Sequence, residues 1–145
     1  MKSPATFPLT PAQSGVYAAA PQLAELKRAA PAADVAWFEL DLARVDTKAA
    51  LIERCEQVLG LPPLFGRNWD ALVDSVEDFS WRPAAGFVVN ISNGAMLARS
   101  APGDLATLLE IFANAATYWS AKDKIFAVLV DASTRGARVM NTLPA

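Results

Sequence analysis

The chain has 145 residues, 53% of them hydrophobic and 19% charged, with a formal net charge of −2. That is enough apolar material for one packed core, while the mildly acidic balance argues against the basic surface that direct RNA or DNA contact requires. There is no histidine and one cysteine, Cys55; the commonest general base, the commonest metal ligand and any internal disulfide are missing, so neither a metal nor a cofactor is expected.

The opening MKSPATFPLTPAQSG is broken by Pro4, Pro8 and Pro11 and holds no apolar core of signal-peptide length. No later segment approaches the roughly 18 uninterrupted apolar residues of a membrane span. With the lone cysteine, this predicts a cytoplasmic protein. The first fifteen or so residues read as a flexible lead. Pro21 then suits the first position of a short helix carrying Leu23, Leu26 and Ala30. Residues 1–34 are accordingly expected to form an N-terminal extension.

From Val35 to Leu42 the sequence alternates, with Ala36, Phe38, Leu40 and Leu42 on one face and Val35, Trp37, Glu39 and Asp41 on the other; this is the pattern of a strand. Asp46 or Thr47 is placed to cap a helix whose Leu51, Ile52, Cys55, Val58 and Leu59 fall at helical spacing before Gly60 ends it. LPPLFGR reads as a loop, and Asn68 as the N-cap of a helix from Trp69 to Phe79. GFVVNI, residues 86–91, is apolar almost throughout, as in a strand covered on both faces. A short helix from Ala95 to Arg99 precedes a longer one carrying Leu105, Leu108, Leu109, Phe112, Ala116 and Trp119 in one stripe. IFAVLV, residues 125–130, makes a third strand, and residues 132–145 read as a loosely ordered tail. Strands separated by helical connections of this length suit right-handed crossovers, so a three-stranded parallel α/β domain is expected over residues 35–131.

Asn68 to Trp81 holds Asp70, Asp74, Glu77 and Asp78 and no lysine or arginine. At about 100° per residue, all four carboxylates fall within an arc of roughly 100°, with Leu72, Val76 and Phe79 nearly opposite and Val73 at the border. Most charged helix faces are simply solvated. Here, however, like charges stand at adjacent helical positions, each pair costing about 0.2–0.5 kcal/mol, and Glu77 and Asp78 sit where the helix dipole disfavours anions. Such a face suits a cationic site on another macromolecule, since fixed carboxylates pair with arginine or lysine as phosphates do.

The run LPPLFGRNWDALVDSVEDF, residues 61–79, resembles the barstar family of ribonuclease inhibitors in Leu61, Pro62, Phe65, Gly66, Asn68, Asp70, Ala71, Leu72 and Asp74. The resemblance implies a two-layer α/β fold with a three-stranded parallel sheet and four main helices. It also implies a partner, a basic protein such as a small secreted ribonuclease or nuclease toxin, whose active site the acidic helix and the preceding loop would enter. Asp74 takes the role of principal anchor and Asp70 a supporting one. Leu64 and Val73 stand where the best-known inhibitor has aromatic contacts, and Asn114 where it has a glutamate; Glu77 and Asp78 add charge. A cognate partner different from the prototype nuclease follows. Pro62, Phe65, Gly66, Asn68, Trp69 and Leu72 are read as structural. Two other readings are a non-inhibitory adaptor on the same scaffold and a hydrolase using Asp70 and Asp74 as a carboxylate pair; two acids on one helix face are poorly placed to flank a substrate.

Overall fold

The computed structural model describes residues 7–62, 66–136, 138 and 140–143. Leu64 and Phe65, and the first six residues of the expected lead, lie outside the described residues. In chain order the elements are β1 (Gly15–Ala18), α1 (Leu23–Ala29), β2 (Val35–Asp41), α2 (Lys48–Leu59), α3 (Trp69–Val76), β3 (Gly86–Ser92), α4 (Ala95–Ser100), α5 (Pro102–Ala121), β4 (Ile125–Val130), α6 (Ala132–Arg135) and β5 (Asn141–Thr142). Between Ala18 and β2 the short helix begins at Leu23, two residues after Pro21, which stands in the turn before it.

All pairings are parallel, in the order β2-β3-β4-β1-β5. The three strands read from the sequence are present, but among the described residues the sheet has five strands rather than three. The two additions come from the segments expected to be an extension and a tail. β1 lies along β4 from Gly15↔Ala127 to Ala18↔Val130, and β5 adds Asn141 and Thr142 to the far side of β1. Neither piece is long enough to show a period of its own; each is a strand because a neighbouring edge offers unpaired N–H and C=O groups.

Because side chains alternate across a strand, the sheet has two apolar faces. One face, with Ala36, Leu40, Phe87, Val89, Phe126 and Val128, is covered by α2, α3, α4 and α5. The other, with Val35, Val88, Ile125, Ala127 and Leu129, is covered by Leu26 of α1, by Phe7 and Leu9, and by Leu143. The expected two layers are therefore three. Each fully buried leucine, isoleucine or phenylalanine contributes about 1.5–3 kcal/mol, so residues 7–34 are energetically part of the domain. A polar cluster reinforces this covering: Glu39 accepts from Asn90 Nδ2 at 2.9 Å and from the Trp37 indole, and pairs with Lys27 of α1 at 3.5 Å.

The helix signals expected for α2 are in place. Thr47 Oγ1 accepts from Ala50 N at 3.1 Å, and Gly60 ends α2 in the left-handed region at φ 62°. Cys55 is fully buried, and burial pushes its thiol up to about 12, so it stays protonated and inert. Two tryptophan indoles satisfy carbonyls near helix ends: Trp81 Nε1 donates to Leu59 O at 3.1 Å and Trp119 Nε1 to Val76 O at 2.8 Å. Among the described residues no helix is long and apolar enough to cross a membrane.

Candidate functional site

The surface around α3 is set from its first turn. Asn68 has extended backbone, and its Oδ1 accepts from Ala71 N at 2.8 Å, which makes it the N-cap the sequence implied. Gly66 supplies room beside it, since a Cβ there would lie 3.2 Å from Asn68 Nδ2. Leu72 and Val76 are fully buried, and Trp69 and Val73 pack partly buried against the same core. Lys48 of α2 places its ammonium 5.5 Å from the Trp69 ring centroid, a cation–π contact at the mouth of the helix. Pro62 is half-buried just past α2. The inner face of α3 is thus fixed against α2 and α5, and Asp70 and Asp74 project outward, both exposed.

The structure shortens the helix. It ends at Val76, not at Phe79, so the arc drawn on a helical wheel holds for Asp70 and Asp74 but not for the other two acids. Glu77 is the C-cap, half-buried, and donates its N–H to Val73 O at 3.2 Å. Asp78 is exposed and accepts from Ser80 Oγ at 3.0 Å. The cause is Phe79. Its ring is buried between Phe87 at 4.5 Å, Trp81 at 5.2 Å and Phe38 at 5.6 Å between centroids. To reach that cluster the chain turns through a left-handed conformation, φ 51°, which costs a bulky residue roughly 1–2 kcal/mol. Burial of the aromatic ring exceeds that cost.

Among the described residues the two ion pairs are Lys27–Glu39 and Arg67–Glu56, and neither involves the four acids of this segment. Arg67 is the informative case. It directly precedes the acidic segment and could have neutralised it, yet its guanidinium forks onto Glu56 of α2, Nε to Oε2 at 3.1 Å and Nη2 to Oε1 at 2.8 Å. Its own left-handed backbone, φ 55°, helps to turn it that way. Composition alone does not show this diversion, because the partner lies eleven residues away on another helix. Asn114 is exposed on α5, the helix against which α3 packs. Among the described residues clefts lie elsewhere, one lined by Arg44 and Arg54, one by Arg99 and Arg135, and one by Ser14 and Ser120, and Asp70 and Asp74 line none of these.

The family model Barstar (barnase inhibitor) matches residues 35–131. The chain belongs to the barstar family. Compared with curated proteins one by one, it matches none. The barstar match begins at the first residue of β2 and ends one residue past β4, so it takes in α3 and all four acids while leaving out β1, α1 and β5. Barstar-family members are inhibitors rather than enzymes, and the family points to a role of the ribonuclease-inhibitor kind.

Proposed function

We propose that the chain is an immunity-type inhibitor whose α3 surface binds and occludes the basic active site of a nuclease, specifically a ribonuclease. The observation that carries this reading is that Asp70 and Asp74 stand exposed on a helix whose opposite face is locked, while the neighbouring Arg67 is held away on Glu56. Asp74 is assigned the central contact and Asp70 the supporting one; Glu77 and Asp78 extend the negative field beyond the helix end. Val73 and Asn114 are assigned to the surrounding rim; Leu64, assigned to the partner contact from the sequence, lies outside the described residues.

Carboxylates held in this way stand in for RNA phosphates, and an arginine of the partner pairs with each in bidentate fashion. Because the Asn68 cap, Leu72, Val76 and the Trp119 indole already fix α3, binding costs little ordering of the inhibitor. The negative field steers a basic partner and speeds association. The partner is a basic protein, a small secreted ribonuclease or nuclease toxin, and the inhibitor acts in the cytoplasm on the copy that has not left the cell. Residues 35–131 act as the binding domain, completed by residues 1–34 and 132–145.

The test is titration of purified chain into candidate basic ribonucleases encoded beside it, with RNA cleavage as the readout. One equivalent should abolish cleavage, Asp74→Ala should restore it, and the association rate should fall as salt rises. A stable complex that leaves cleavage untouched would instead favour the adaptor reading.

A further inference from the structure

At the carboxyl ends of β3 and β4 the structure builds a second charged site, of opposite sign. β3 leads into α4 through Asn93 and Gly94, and β4 into α6 through Asp131. The two helices are latched together: Gly94 N donates to Thr134 Oγ1 at 2.8 Å, and a Cβ on Gly94 would come within 2.5 Å of Thr134 Cγ2. Only glycine permits this approach. Beside the latch lies a cleft of about 440 Å3 whose lining includes Arg99 of α4, Ser133 and Arg135 of α6, and Arg138. The hydrogen bond from Arg138 N to Arg135 O, 2.9 Å, folds the chain back so that both arginines border the same space. Ala95, Ala98 and Gly136 leave that space open.

Among the described residues no carboxylate lines the cleft. The nearest acid in sequence, Asp131, is occupied by its own chain: Oδ1 accepts from Thr134 N at 2.9 Å, and Oδ2 from Asn93 N at 3.0 Å and Ser133 Oγ at 2.9 Å. Among the described residues the buried Arg135 Nε finds no acceptor, a condition that costs roughly 1–3 kcal/mol if it persists. Three arginines lining one cleft with no acidic residue among its described lining, Arg99 and Arg138 exposed and Arg135 carrying an unmet donor, suit a compact, multiply charged anion with several acceptor oxygens. The cleft lies at the carboxyl ends of two adjacent parallel strands.

We propose that this cleft binds a phosphoryl group, either free inorganic phosphate or the phosphate monoester of a small molecule, through Arg99, Arg135 and Arg138 with Ser133 as a neutral donor. It is independent of the acidic α3 surface.

The experiment is a titration of the full-length chain, followed by amide NMR and calorimetry, with inorganic phosphate and separately with AMP. Saturable shifts centred on residues 94–99 and 133–138 are expected. The double variant Arg99→Gln/Arg138→Gln should weaken binding at least about tenfold, since hydrogen bonds to charged groups are worth this much or more, while Asp74→Ala leaves it unchanged. Tighter binding of AMP assigns the ester, and equal or weaker binding assigns free phosphate; both support the site. Absence of saturation with both anions, or equal affinity in the folded double variant, overturns it, as does a response to oligonucleotide alone. Thermal unfolding of each variant separates loss of the site from loss of the fold.

Discussion

Asp131 and Asp74 are both aspartates at helices within the family-matched span, and the chain treats them in opposite ways. Asp131 caps α6 and accepts from Thr134 N, Asn93 N and Ser133 Oγ. Asp41, across the same sheet end, accepts from Ala43 N and Asn93 Nδ2. Between them they hold Asn93, whose left-handed backbone, φ 59°, swings the chain from β3 into α4. Burial by itself would raise the Asp131 carboxyl, but hydrogen bonds from Thr134, Asn93 and Ser133 outweigh it and keep it below the ordinary aspartate range. Asp74, by contrast, is exposed on a rigid helix and takes part in neither ion pair of the described residues. A carboxylate that works for the fold collects donors from its own backbone; one held out without them is available to another molecule.

This contrast can be broken at several points. Phe79→Ala should have the largest effect, about 3–5 kcal/mol of stability lost in urea unfolding, because it empties the aromatic cluster that anchors the end of α3. Asp74→Ala should do the reverse. It should cost about 2–5 kcal/mol of binding to the cognate nuclease, the general range for truncating one side of a desolvated charge pair, and shift unfolding by no more than about 0.5 kcal/mol. Equal losses in binding and stability would erase the distinction.

Asp131→Ala should cost about 0.5–2 kcal/mol of stability, as loss of a helix cap does, with partner affinity unchanged. Its pH signature follows from the lowered folded value. The wild-type contribution is complete above the unfolded aspartate pKa of about 3.9 and is lost as pH falls through the lower folded one. Acid unfolding curves of wild type and variant should therefore converge in that interval. The smallest effect belongs to Glu56→Ala. An exposed pair of this kind adds little to stability, but its removal releases Arg67 beside α3, and stopped-flow mixing with the nuclease should show slower association.

β2, β3, β4 and the caps at Thr47, Gly60 and Asn68 were legible because each is written in a local pattern: alternation, an apolar run, or a side chain placed to bond a nearby N–H. β1 and β5 were not. Gly15–Ala18 offers only Val16 and Tyr17 as strand formers, and Asn141–Thr142 is too short for any period, so both depend on a distant edge. Within the site, the directions of Asp70 and Asp74 followed from helical spacing, whereas those of Glu77 and Asp78 did not. Phe79 in a left-handed conformation ends the helix early, and that conformation is one an aromatic residue adopts only under tertiary compulsion. The arginine cleft was invisible for a related reason, since Arg99 and Arg135 become neighbours only when Gly94 meets Thr134.

The place of β1 imposes an order of assembly. Ser14, at its threshold, accepts a hydrogen bond from Phe126 N across 112 residues of chain, and among the described residues β5 pairs with β1 alone. The segment made early in synthesis must therefore wait until β4 has emerged, and β5 can join only after that clasp has closed. Contacts between such remote parts of a chain form slowly. Until they do, β4 presents a bare edge to its surroundings, and the molecule is most open to sticking to its own kind.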